Sequence, residues 1–294
     1  MTIDRQFEPL SKARRSLIAD LRTRAGRERH GSFLLEGPRA IEDALGRGAK
    51  LSCLVADPSG MRIVGRWLVA GLVPEATALY RAAEGDVAQL ADTTTPQGIL
   101  AVGELPAEGL GALPELAAEP VAAEPGAAAG RRDVVLLVDG VQDPGNLGTL
   151  LRTLAAVGGS AAICCKGTVD PFNPKALRGS AGAALSLPVA RGVERRAAAD
   201  WCAERGVAIV ALAAGGVDLF GRRSGGPLAA GPLAAGPLAL AVGGEAAGLS
   251  PEILGAAALV AGIPMEPGVE SLSAAVAGSI ALYALAHDLV HGGR

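Results

Sequence analysis

The chain has no run of 18 or more apolar residues free of glycine, proline or polar breaks, so its sequence offers no membrane-spanning helix. The opening stretch, MTIDRQFEPL, lacks both a basic segment and an apolar core, so no secretory leader is expected and the protein is expected in the cytoplasm. Cysteine is scarce. Cys53, Cys164, Cys165 and Cys202 form no CxxC pair, and His30, His287 and His291 are scattered. Neither a zinc site nor a disulfide framework follows; the thiols are expected to be buried and structural, and no metal is expected. Net positive charge is missing too, the formal total being -3. Only four of the 27 basic residues are lysines, and with so much alanine and glycine the preference for arginine reads as coding bias and cannot itself be taken as recognition chemistry.

What is present points to two domains. The chain has 294 residues, half of them hydrophobic, enough for two buried cores. Charge is unevenly spread: between positions 10 and 30 stand Lys12, Arg14, Arg15, Arg22, Arg24, Arg27 and Arg29 against Asp20 and Glu28, a local excess of five. Phosphate binding depends on such patches more than on whole-chain charge, so these arginines are the candidate RNA contacts, with a solvated helix face as the alternative. Leu10, Ala13, Leu17, Leu21 and Ala25 recur at helical spacing and predict one amphipathic helix. Strands and helices then alternate to about residue 103, implying a small α/β module. Residues 104–132 hold five glutamates among alanines and prolines and read as an acidic linker. From 133 to 294 strands that are apolar throughout alternate with helices, the pattern of a parallel sheet covered on both faces. Inside that span the GPLAA repeat of 225–239 reads as a surface loop, since proline every five residues forbids a helix.

Three segments of the second domain carry chemistry. LLVDGVQDPGNLGTLLRT (136–153) is a buried strand, a Gly/Pro turn and a helix, and such strand-to-helix turns are where α/β proteins place ligands. It contributes Asn146 and Arg152, which could equally be a helix cap and a solvated charge. ALAVGGEAAGL (239–249) is a second apolar strand ending in glycines, with the single carboxylate Glu245. IPMEPGVESLSAAVAG (263–278) is a Pro/Gly loop opening a helix of small residues, with Ser271 and Ser273 at its head. An amide, a guanidinium, a carboxylate and a hydroxyl are thus available at strand ends.

DPGNLGTLLRT, GGEAAGL and IPMEPGVESLSAAVAG, in that order, resemble the three signature motifs of the TrmH branch of the SPOUT RNA methyltransferases. DPFNPKALRGSAGAALSLPV (170–189) resembles that family's linking segment, and the stretches 14–45 and 93–102 resemble the ribosomal-protein-like RNA-binding module found at the N-terminus of many members. The resemblance implies an RNA-binding domain over 1–103, the linker 104–132, and over 133–294 a parallel-sheet α/β domain with a deep trefoil knot. True knots are nearly absent elsewhere, so no spacing argument yields one.

The resemblance further implies an S-adenosylmethionine-dependent RNA ribose 2′-O-methyltransferase, with ribosomal RNA as the expected substrate. Methyl transfer is an in-line displacement, so such a protein mainly holds two reactants in line. By motif, cofactor contacts fall on Gly243, Gly244, Ile263, Met265 and Leu272, and the catalytic set on Asn146, Arg152, Glu245, Ser271 and Ser273, with Arg152 at the acceptor ribose. Family members usually carry asparagine where this chain has Ser273. That departure leaves a second reading open, an RNA-binding protein of the same fold with impaired catalysis. The closing helix has small and apolar residues on more than one face, which suits the homodimer that the family implies.

Overall fold

Short apolar runs punctuated by capped helices build the first unit in a computed structural model, which describes residues 6–116, 133–220, 233 and 236–291. Its elements are β1 (Glu8–Pro9), α1 (Lys12–Asp20), α2 (Arg24–His30), β2 (Ser32–Glu36), α3 (Pro38–Gly46), β3 (Leu51–Ala56), α4 (Pro58–Val69), β4 (Ala78–Arg81), α5 (Asp86–Leu90) and β5 (Ile99–Glu104). The strands form one sheet in the order β1-β4-β3-β5-β2, with β5 antiparallel to both its neighbours. Ile18, Leu34, Val55 and Leu100 lie fully or almost fully buried in its core.

The single amphipathic helix expected from Leu10 to Ala25 is two helices, and Ala13 and Ala25 are exposed. Thr23 caps the second, its hydroxyl accepting from the Gly26 N–H at 3.0 Å. A Cβ on Gly26 would stand 2.0 Å from the Asp20 carbonyl oxygen, so α2 folds back against the end of α1 at a distance only glycine allows. β4 and α5, between α4 and β5, are elements that the periodicity did not reveal.

Residues 172–186 follow strand residues of the second sheet in sequence, yet they belong to the first unit, which comprises Met1–Pro106 and Phe172–Ser186. Phe172 packs on Phe33 with ring centroids 5.8 Å apart. The segment carries two short helices, α7 (Pro174–Gly179) and α8 (Ala183–Ser186), separated where Ala181 and Gly182 take φ of 47° and 78°.

The second unit comprises Ala107–Pro171 and Leu187–Arg294. Its ordered elements are β6 (Val134–Asp139), α6 (Pro144–Ala156), β7 (Ala161–Cys165), β8 (Val189–Val193), α9 (Arg195–Glu204), β9 (Ala208–Asp218), β10 (Leu238–Gly243), α10 (Pro251–Ala256), β11 (Leu259–Gly262) and α11 (Ala274–His291). All strand pairs are parallel, in the order β11-β9-β10-β6-β7-β8. Every residue of β6 and β7 is buried, as their apolar sequences require, with Asp139 at the end of β6 the one charged exception. The start of the supposed linker is part of this unit: Leu110, Leu113 and Leu116 pack on its core, while residues 117–132 and most of the GPLAA repeat lie outside the described residues.

The chain leaves the sheet at its edge strand, β11, and returns to the middle, where α11 packs against α6 and β10. Gly278 permits that approach, since a Cβ there would stand 2.4 Å from a Leu150 methyl. Among the described residues no helix is long and apolar enough to cross a membrane, and no cluster of three or more His, Cys, Asp or Glu could hold a metal.

All four cysteines are free and buried. Burial pushes the thiols of Cys165 and Cys202 up to about 12 and raises those of Cys53 and Cys164 as well. A raised pKa keeps a thiol protonated and unreactive at pH 8. The native protein should therefore leave 5,5′-dithiobis(2-nitrobenzoate) unreduced at that pH and show four reactive thiols in denaturant; rapid labelling of any thiol in the native state contradicts this packing.

Candidate active site

β10 ends in Gly243-Gly244, and the chain turns back at once: the Gly248 N–H donates to the Gly244 carbonyl at 2.8 Å. A Cβ on Gly243 would lie 2.2 Å from the Gly248 carbonyl carbon, and one on Gly244 would lie 2.4 Å from the Gly140 oxygen. Only glycines let the ends of β6 and β10 and the returning loop lie backbone to backbone. Asp139 at the end of β6, 2% exposed, secures the arrangement from below. It accepts the Arg195 Nε at 2.7 Å and the Ser250 N–H at 2.8 Å, both charge-assisted bonds.

The turn into α6 is organised by Asp143, whose carboxylate accepts the Asn146 N–H at 2.8 Å. Asp143 is thus the N-cap, with Pro144 in the first helical position, and Asn146 is freed from the capping role that its type allows. Its side-chain Nδ2 donates to Glu245 Oε1 at 2.5 Å, joining two of the sequence motifs across 99 positions of chain. Arg152, two turns further along α6, is exposed, and its guanidinium has no hydrogen-bond or ion-pair partner among the described residues.

Above the glycines lies a cavity of about 320 Å³. Gly243, Gly244, Ile263, Met265 and Leu272, the five residues assigned to the cofactor, all line it, as do Glu245, Ser271 and Ser273. Leu212 and Val242 complete its apolar wall, and Glu270 adds a second carboxylate that the sequence reading passed over. Asn146 joins this group through Glu245, whereas Arg152 does not line the cavity. Ser273 precedes α11, and its Oγ accepts the Val276 N–H at 3.3 Å. Serine and asparagine are both favoured N-cap residues, so the departure at this position keeps the helix start intact.

The arginines assigned to RNA are mostly occupied within the first unit. Arg27 is 1% exposed and donates to the carbonyls of Leu21 at 2.9 Å and Arg22 at 3.2 Å, which removes it from the RNA-binding set. Burial of so large a cation is tolerable because those carbonyls, left open where α1 ends, need donors. Arg15 pairs with Asp86 and holds that carboxyl below the usual carboxylate range. Arg24 pairs with Glu28 at 2.7 Å, Arg29 with Asp20 at 3.1 Å and Arg22 loosely with Asp92 at 3.8 Å. Arg14 lies over the Tyr80 ring, 5.3 Å from its centroid.

Comparison with known proteins matches residues 133–283 to the SpoU rRNA Methylase family and residues 16–101 to the MRM3-like substrate binding domain. A 23S rRNA (guanosine(2553)-2′-O)-methyltransferase of Bacillus subtilis, RlmP, is 33% identical over 268 residues, covering 90% of this chain and 92% of that protein. A 23S rRNA (uridine(2479)-2′-O)-methyltransferase of Streptomyces viridochromogenes is 28% identical over 92% of this chain and 88% of that protein. Among solved structures, the SpoU methyltransferase AviRb of Streptomyces viridochromogenes in complex with AdoMet superimposes with a TM-score of 0.79 at 27% identity, over 97% of this chain and 100% of that one.

If Ser273 serves α11 as a cap, Ser273→Ala should cost about 1 kcal/mol of stability and Ser273→Asn only a few tenths. Urea denaturation of both variants checks this, and equal losses would show that the hydroxyl does something a cap cannot explain.

Proposed function

Since the chain belongs to the SpoU rRNA methylase family and has its knotted SPOUT fold, we propose that it transfers the methyl group of S-adenosylmethionine to a ribose 2′-hydroxyl of ribosomal RNA. The observation that carries this reading is the glycine-floored cavity with the Asn146–Glu245 pair at its edge. Its residues fit the cofactor: main chain at Gly243 and Gly244 can approach a ligand closely, Leu212, Val242, Ile263 and Leu272 offer apolar surface to an adenine ring, and Glu245, Glu270 and Ser271 offer polar groups. When bound, S-adenosylmethionine supplies an electrophilic methyl group on a sulfonium.

The protein's part is then positioning and charge. The apolar wall holds the ligand's apolar parts, and the hydroxyl of the RNA is the nucleophile brought to it. Glu245 fixes the Asn146 amide, which is left to orient the acceptor ribose. A guanidinium is a permanent cation, so Arg152 acts by neutralising the phosphate beside the attacked ribose and the charge that builds on the 2′-oxygen as its proton passes to solvent. An unpartnered, exposed guanidinium is suited to meeting a substrate that arrives from solvent. The reading of a fold with impaired catalysis rests on Ser273, which lines the cavity while its hydroxyl accepts the Val276 N–H and so keeps a helix start that asparagine would also cap.

A homodimer is part of the proposal. Val276 and Tyr283, seven residues apart on α11, are 48% and 52% exposed on one helix face, an apolar stripe suited to a second copy.

Two variants should separate the roles. Arg152→Ala should lower methyl transfer to 23S rRNA by on the order of 10²- to 10³-fold, with calorimetric affinity for S-adenosylmethionine held within a few fold. Gly243→Ala should weaken cofactor binding roughly ten- to a hundredfold, because its Cβ meets main chain. Parallel loss of cofactor binding and turnover in Arg152→Ala would make Arg152 structural, and undiminished cofactor binding in Gly243→Ala would remove the cavity from the account.

A further inference from the structure

A second cavity, of about 300 Å³, lies in the first unit at the end of β2, beside the irregular segment 91–98. Its construction is unusual because a carboxylate is buried beneath a surface loop. The Glu36 side chain is 2% exposed, and Oε1 accepts the Asp92 N–H at 2.7 Å while Oε2 accepts Arg178 Nη1 at 3.2 Å. Arg178 Nη2 also reaches Asp92 at 3.3 Å. Burying an ion pair seldom adds stability, so its use here lies in what it fixes, the start of the loop. The far end of the loop is held by main chain, with Gly37 N–H donating to Ile99 O at 3.1 Å and Asp57 N–H to Gly98 O at 3.0 Å. Gly37, at φ +85°, keeps space under the loop open, since a Cβ there would stand 3.0 Å from Gln97 Oε1.

What this frame presents is uncharged. Gln97 and Thr95 line the cavity, and among the described residues their side chains make no hydrogen bond. A planar amide carries a donor and an acceptor side by side, the pattern that pairs with a nucleobase edge, and a hydroxyl can turn to either role. A phosphate would call for a free cation, but Arg178 is already shared between two carboxylates. The cation at hand is Arg22, 43% exposed and only 3.8 Å from Asp92. Among the described residues no aromatic ring lines the cavity, so recognition there would come from edge hydrogen bonds, in the way single-stranded RNA is read by its splayed-out bases.

We propose that this cavity takes one unpaired nucleobase of the RNA substrate, read along its edge by Gln97 and Thr95, with Arg22 facing the neighbouring phosphate. The proposal rests on the RNA methyltransferase reading and gives the first unit a defined contact in place of the occupied arginines.

The test is filter binding of an unmodified 23S rRNA transcript across a salt series, with methyl-transfer kinetics on the same transcript. Gln97→Ala should weaken binding roughly tenfold or more, the loss of one bidentate amide–base pair, with the slope of log affinity against log salt unchanged. Its KM for RNA should rise while kcat at saturating RNA and the affinity for S-adenosylmethionine stay at wild-type values. Arg22→Ala should instead reduce the salt slope by about 1, as a phosphate contact does. Both side chains are exposed, so both variants should fold, which thermal melts followed by circular dichroism will verify. A Gln97→Ala protein that binds within twofold of wild type, or that loses salt slope as Arg22→Ala does, overturns the base pocket while wild-type methylation leaves the enzymatic reading standing. A wild type that neither binds nor methylates the transcript overturns both.

Discussion

The contact of main chain with main chain at the end of β10 is the constraint on which the site depends. Gly243 against Gly248, and Gly244 against Gly140, bring two parallel strand ends and a returning loop closer together than any Cβ would allow. That closeness gives the cavity a peptide floor, brings Glu245 to Asn146, and lets Asp139 anchor the loop through the Ser250 N–H and α9 through Arg195. A side chain at either glycine would part the strand end from the loop, and the cavity floor and the Asn146–Glu245 pair would shift together.

The first unit shows how a sequence count of charge can mislead. Seven basic residues in twenty-one positions suggest a strong field, but a field reaches solvent only from charges that lack neighbours of opposite sign. Arg15, Arg24 and Arg29 meet carboxylates, and Arg27 serves as a buried donor for the end of α1. What remains of the seven is led by Arg14, over the Tyr80 ring, and Arg22, held loosely by Asp92, a smaller basic surface than the count suggests. Selection then falls to shaped, uncharged groups such as those of the segment 91–98.

Much of this was legible in the sequence, for physical reasons. Apolar strands ending in glycine state both the parallel sheet and the place where backbone can approach a ligand, and the five cofactor candidates that the family resemblance implied line one cavity. The first two motifs also brought Asn146 and Glu245 together, although 99 positions separate them. The break after α1 was not legible, because it depends on Gly26 meeting the Asp20 carbonyl, a contact that helical periodicity ignores. Asp143 and Asn146 are both legal caps; Pro144 was the signal for Asp143, since proline favours the position just inside a helix start. The attachment of 172–186 to the first unit depends on Phe172 finding Phe33 and Arg178 finding Glu36, long-range pairings that no local pattern encodes. Glu270 was hidden in a loop between two better-marked residues.

The account stands on where the methyl group goes. The most direct measurement is to incubate the protein with unmodified 23S rRNA and isotopically labelled S-adenosylmethionine, digest the RNA to nucleosides and locate the label by mass spectrometry. Label in a single 2′-O-methylated nucleoside is the result expected of a cavity that holds the methyl donor beside an oriented ribose. Label on a base, or RNA returned without label, would contradict it.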